Sequence, residues 1–271
     1  MAVKSSTVDC VCLKRVLNII MRIIRFTFII PFLLFFIGCA SIMADPMSRP
    51  PAELLKEARK EFKDKNFERT RELLEALKAR DAEKKYYVNA LILIADSYFA
   101  QGKHMEAAIE YKAFLDLHTY HKKAPYAQYM LALSYFEQID SVDRSFENIL
   151  IARREFHNLL KRYRNNRYRK SALAKIVKCN NLLAEYEDYV GSFYLKKGAY
   201  RAAIGRFEGL LKDFPESTVE VDVLLKLGRA YKEMDNTGKA GEILSLLVSR
   251  YPSSKQAARA REILDTLSLS P

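Results

Sequence analysis

Residues 190–207 read VGSFYLKKGAYRAAIGRF, and this stretch decides the fold. Gly191 is followed three places later by Tyr194, and the small-then-aromatic pair returns at Ala203 and Phe207. Small residues let two helix axes approach, and the aromatics fill the gaps beside them. The same figure recurs at Leu227, Gly228, Tyr231, Ala240 and Leu244, with Pro215 and Pro252 closing these two copies. Upstream it appears as Ala95, Tyr98, Ala107 and Tyr111, then as Ala132, Tyr135, Ala152 and Phe156. A degenerate first copy is Leu54, Ala58, Phe62, Thr70 and Leu74, as expected of a terminal repeat with one face in solvent.

The spacings fix the organisation. Ala58 to Ala95, Ala95 to Ala132 and Gly191 to Gly228 are each 37 residues. Ala132 to Gly191 is 59, an excess of 22. Eight of these lie between Ala132 and Ala152, predicting a loop insertion over Glu137–Arg144. The other 14 lie between Ala152 and Gly191, close to four helical turns, and predict a helix from about Tyr168 to Lys196. Such a helix keeps its facing and is expected to project beyond the stack. Apolar residues recur at three and four from Pro51 onward, with no sustained alternation of the strand kind. The fold class is therefore all-α, a solenoid of about five tetratricopeptide-type helix-turn-helix repeats with an extended helix opening the fourth.

The N-terminal 38 residues have the pattern of an export signal. Phe26–Ile37 is apolar but for Thr27 and Pro31, behind Lys14, Arg15, Arg22 and Arg25. Twelve helical residues reach only about 18 Å, against about 30 Å for a bilayer core. A longer anchor from Val16 to Ile37 would bury Arg22 and Arg25, which is costly. Phe36-Ile37-Gly38-Cys39 resembles a lipobox, where a cysteine after a small residue is diacylated and becomes the new N-terminus. The alternative is an ordinary signal peptide with a coincidental cysteine. Ala40 and Ser41 follow, without the aspartate that retains lipoproteins in the inner membrane. Met21 would start a more compact signal, making residues 1–20 an annotation artefact. The expected layout is thus 1–38 signal, 39–50 lipidated tether and 51–270 repeat domain.

Removing five Lys/Arg and one Asp with residues 1–38 leaves 40 cations against 32 anions, a mature net charge of +8. This suits acidic partners or anionic head groups, and export argues against nucleic acid. Beyond Cys39 only Cys179 remains, so stability must come from packing.

Two segments carry a more specific likeness. Ser134-Tyr135-Phe136-Glu137-Gln138-Ile139-Asp140-Ser141-Val142-Asp143-Arg144 is similar to the loop within the third repeat of the BamD family of outer-membrane assembly lipoproteins. Val190–Phe207 resembles that family's fourth repeat nearly position by position. The chain departs from the family pattern at Arg164-Asn165-Asn166, where a proline is usual. The resemblance implies a non-enzymatic scaffold on the periplasmic face of the outer membrane, lipid-anchored and without a cofactor or metal. It implies docking on a BamA-like barrel protein, contact with unfolded outer-membrane protein precursors, and company from other assembly lipoproteins. In the family, an arginine on the second helix of the fourth repeat pairs with an acidic residue of BamA. Arg206 stands at that position, with Arg201 and Lys197 nearby. Arg206 is expected to leave the core stripe and be free for that partner. A repeat lipoprotein tethering cell-wall enzymes is the competing reading, needing neither the inserted loop nor the fourth-repeat motif.

Other groups are weighed by their chemistry. Phe62, Phe67, Tyr86, Tyr87 and Tyr98 are candidates for a substrate groove, each also placed as a core residue would be. Lys161–Lys170 holds six cations in ten residues, interleaved with two tyrosines, and Arg162, Arg164, Arg167, Arg169 and Lys170 suit an anionic lipid surface, an acidic partner domain or a solvated turn. His118 and His121 have no third metal ligand at suitable spacing. Cys179 lies mid-helix, where a packing role is expected.

Overall fold

A computed structural model describes residues 49–268. Among these there are eleven α-helices and no strand. The expected signal segment, Cys39 and the expected tether up to residue 48 lie outside the described residues. The helices are α1 (Pro51–Lys63), α2 (Phe67–Arg80), α3 (Tyr87–Ala100), α4 (His104–Leu117), α5 (Ala124–Phe136) and α6 (Phe146–Arg162). Then come α7 (Arg169–Lys196), α8 (Tyr200–Asp213), α9 (Glu220–Lys232), α10 (Thr237–Arg250) and α11 (Lys255–Ser268). Each packs mainly on the helices before and after it, so α1–α10 form five stacked pairs and α11 closes the end. Ala257 and Ala260 of α11 are buried, the latter beside Leu224, Leu244 and Leu247.

The register follows the small residues. Ala58, Ala95, Ala107, Ala132, Ala152, Ala203 and Ala240 are all fully buried. At Gly191 an added Cβ would stand 2.5 Å from the Phe207 ring, and at Gly228 it would stand 2.5 Å from Leu244. Those two crossings are too close for alanine without movement. The short turn inside four of the five pairs uses one left-handed residue, supplied by Gly102 (φ 78°) and Gly198 (φ 74°) in the second and fourth repeats. Lys65 (φ 62°) and Asp235 (φ 55°) hold the equivalent positions in the first and fifth. A side chain there costs about 1–2 kcal/mol of backbone strain.

The third repeat differs as the spacing predicts. Residues 137–145 form the inserted loop, in which the Ser145 hydroxyl oxygen accepts the Asp140 N–H at 3.1 Å. Lys175 of α7 lies 3.7 Å from the centroid of the Phe136 ring, beside the loop's start. The long helix is α7, at 28 residues, but it does not project beyond the stack. Ala172, Ile176, Cys179 and Leu183 pack against Ile149, Ala152, Phe156 and Leu159 of α6. Its C-terminal half, with Ala184 and Gly191, faces α8 and α9. The added turns bridge two repeats because α6, itself 17 residues long, offers them an apolar face.

Candidate functional site

Helix α8 buries Ala203, Ile204, Phe207 and Leu210, a stripe at spacings of one, three and three. The opposite face carries Arg201, Ala202, Gly205, Arg206 and Gly209. With Phe146 and Leu150 of α6 and Leu183, Glu187 and Tyr194 of α7, these line a cleft of about 610 Å³. A Cβ at Gly205 or Gly209 would meet nothing within 4 Å, so a partner's backbone has room to approach α8. Arg206 does leave the core, but it is not free. Its Nη1 lies 3.1 Å from Glu187 Oε2, with 46% of the arginine and 22% of the glutamate side chain exposed. A half-exposed pair of this kind contributes little to stability, about 0–1 kcal/mol. The guanidinium is therefore oriented by Glu187 yet remains available to a stronger carboxylate. Arg201 shares the cleft. Lys197 does not; it caps α7 beyond the cleft, 5.9 Å from the Phe193 ring.

A second cleft lies between α3, α5 and the turn before α7, lined among others by Asp96, Lys122, Lys123, Tyr126, Arg167 and Tyr168. The Tyr111 and Tyr126 hydroxyls both donate to Asp96 Oδ1, at 2.6 and 2.7 Å. Burial raises the Asp96 carboxyl above its ordinary value of 3.8, and the two tyrosines and Lys123 only partly oppose this. The sequence signal was the one acid in the mostly apolar helix YVNALILIADSYFA, and its partners lie 15 and 30 residues away. A carboxyl that titrates higher in the folded state loses stability as pH rises through its folded value. Asp96→Asn keeps an oxygen acceptor and removes the ionised form. Its urea midpoint at pH 7 is expected above that of the wild type, with the gap narrowing as pH falls towards 4. A lower midpoint at pH 7, with a deficit that shrinks as the pH falls, would show instead that the ionised carboxylate is stabilising.

The five aromatic candidates do not form one groove. Phe62 and Phe67 meet edge to face at 5.6 Å across the α1–α2 turn, and Tyr98 lies under Arg71 at 4.3 Å near the C-terminal end of α3. Tyr86 and Tyr87 lie at the other end of α3, about 16 Å along the axis from Tyr98. Tyr87 packs on His118 at 6.5 Å, and Tyr86 borders a shallow pocket on α1. All five are half-buried. Arg162, Arg164, Arg167, Arg169 and Lys170 are exposed around the α6–α7 turn, with Arg167 over the Tyr168 ring at 4.9 Å. His118 and His121 both pack on Phe114, at 5.3 and 6.0 Å. Cys179 is fully buried, and burial pushes its thiol up to about 11, which suits packing and suppresses the thiolate. Among the described residues no three His, Cys, Asp or Glu gather as metal ligands would, and no helix is long and apolar enough to cross a membrane.

Comparison with known proteins adds the family. Residues 47–243 match the YfiO family, described as outer membrane lipoprotein. The outer membrane protein assembly factor BamD of Xylella fastidiosa is 29% identical over 177 residues, covering 62% of this chain and 61% of that protein. The Rickettsia prowazekii BamD is 30% identical over 166 residues, covering 61% of this chain and 66% of that one. The chain thus spans less than two thirds of these relatives' length. For the Neisseria gonorrhoeae BamD the values are 28% over 216 residues, with 74% and 79% covered. A solved tetratricopeptide repeat protein from Parabacteroides merdae is 18% identical, with a TM-score of 0.35, covering 80% of this chain and 73% of that one.

Proposed function

The chain belongs to the YfiO outer membrane lipoprotein family, and from that membership we propose that it is a scaffold of the outer-membrane β-barrel assembly machinery. In this reading it is a binding protein, anchored to the periplasmic face of the outer membrane through acylated Cys39. Several acyl chains give a stable anchor where one would be marginal. It docks on the periplasmic part of a BamA-like barrel and helps barrel precursors fold and insert.

The observation that supports docking is the α6–α7–α8 cleft. There Arg201 and Arg206 stand beside an open surface of small residues, Ala202, Gly205 and Gly209. The guanidinium fork supplies charge-assisted bonds to a carboxylate, and the missing side chains let partner backbone come close. The second cleft, with Asp96 and its two tyrosines, is the candidate surface for an extended precursor segment, in place of the dispersed aromatic set.

Capture of the full chain from membranes in mild detergent tests both halves of the reading. The co-purified proteins should include a BamA-like barrel, and the N-terminal mass should begin at a diacylated or triacylated Cys39. Capture of cell-wall hydrolases without a barrel would favour the tethering alternative. An unmodified Cys39, or cleavage elsewhere, would remove the anchor.

A further inference from the structure

The repeat edge formed by the α4–α5 and α6–α7 turns carries exposed cations and apolar side chains that lie outside the α6–α7–α8 cleft and, Lys122 and Arg167 excepted, outside the second cleft. Residues 117–123 (LHTYHKK) and 161–170 (KRYRNNRYRK) contain no acidic residue. The two turns are held side by side, since the Tyr163 hydroxyl donates to the Thr119 carbonyl at 2.9 Å. Tyr120, Lys122 and Arg162 line one shallow depression between them. The α4–α5 turn is tied in turn to α3 by Lys123, whose ammonium donates to Asn89 Oδ1 at 2.7 Å. The edge is therefore fixed in place.

Two apolar or amphipathic side chains protrude from this basic edge. Tyr120 is 100% exposed and Leu117 is 68% exposed. The turn backbone around Tyr120 is ordered: the Thr119 hydroxyl donates to Leu115 O at 2.7 Å and the His121 N–H to His118 O at 3.0 Å. The ring is thus presented to solvent by a well-bonded turn. Lys122, Arg162, Arg164 and Arg169 are exposed, and none forms an ion pair among the described residues.

We propose that this edge is a contact site for an anionic phospholipid surface, with Tyr120 and Leu117 at the head-group boundary and the flanking cations on the phosphates. Tyrosine, with an apolar body and a polar tip, suits the boundary between head groups and acyl chains. Juxtamembrane cations each contribute about a fivefold gain in partition to an anionic leaflet. Tyr120, Lys122 and Arg164 stand in the turns and Leu117, Arg162 and Arg169 at the helix ends beside them, so a flat charged surface meets them without a shape-matched partner. Eleven residues lie between Cys39 and Pro51, a span of at most about 40 Å when extended, which keeps the repeats within reach of the bilayer holding the proposed anchor.

The chain contains no tryptophan, so Tyr120→Trp gives a single local reporter. The full-length variant is reconstituted into vesicles of phosphatidylglycerol with phosphatidylcholine, and into vesicles of phosphatidylcholine alone. Its N-terminal segment holds it to both, so emission reports the edge and not the anchoring. In the anionic vesicles the emission should shift to the blue and be quenched by brominated acyl chains. In the neutral vesicles it should do neither, and about 1 M salt should reverse the anionic shift as screening shortens. Adding Arg162→Gln, Arg164→Gln and Arg169→Gln should weaken the shift roughly fivefold for each charge removed, with far-UV circular dichroism unchanged. Equal emission in both vesicle types overturns the proposal, as does a shift that the charge variant leaves intact. A shift that requires an added acidic protein domain and ignores lipid also overturns it, and would assign the edge to protein docking.

Discussion

Arg206→Glu is expected to weaken capture of a BamA-like barrel by about 2–5 kcal/mol, roughly thirty- to five-thousand-fold, if the pair is desolvated on docking. The structure complicates the choice of control. Glu187 already sits 3.1 Å from the guanidinium, so the reversed charge would place two carboxylates together. Arg206→Gln removes the cation without that repulsion, and its unfolding free energy in urea should stay within about 1 kcal/mol of the wild type, because the internal pair is half exposed. Both variants should lose capture. Glu187→Gln releases the guanidinium and should capture at least as well as the wild type. Wild-type capture by both Arg206 variants would reject this arginine as a docking residue. Failure of the wild type itself to capture a barrel would reject the partner. The two failures are distinct, and a pull-down series with all four proteins separates them.

The largest effect on stability is expected where α7 crosses α8. Phe207 is fully buried, and Phe207→Ala should cost about 3–5 kcal/mol through lost burial and the cavity left behind. Gly191→Ala places a methyl 2.5 Å from the same ring and should cost about 1–3 kcal/mol by overpacking. Together the two changes should cost less than their sum, because removing the ring vacates the space the new methyl needs. Urea unfolding of the four members of this cycle measures the coupling. Strict additivity would mean that α7 and α8 do not interlock at these residues.

Much of the fold was legible because close helix packing leaves a local mark. A residue with no room beyond Cβ must be small, and it recurs wherever the same crossing recurs. Hence Ala95, Ala132, Gly191 and Gly228 set the register, and the 22-residue excess located both the inserted loop and the lengthened α7. The sequence also placed Arg206 off the core stripe, since the stripe is a property of one helix. Its partner was not legible, for Glu187 lies 19 residues away on another helix. The same limit hid the Asp96 network, which joins α3, α4 and α5, and the meeting of Tyr120 with Arg162. It misdirected the expectation for α7, because a whole number of turns preserves a helix's facing without saying what that face meets. It also grouped aromatics that α3 holds at opposite ends. Periodicity within a segment is set by 3.6 residues per turn and can be counted along the chain. Ion pairs, hydroxyl networks and turn-to-turn contacts depend on how one helix is offset against the next, and only the packed tertiary structure fixes that offset.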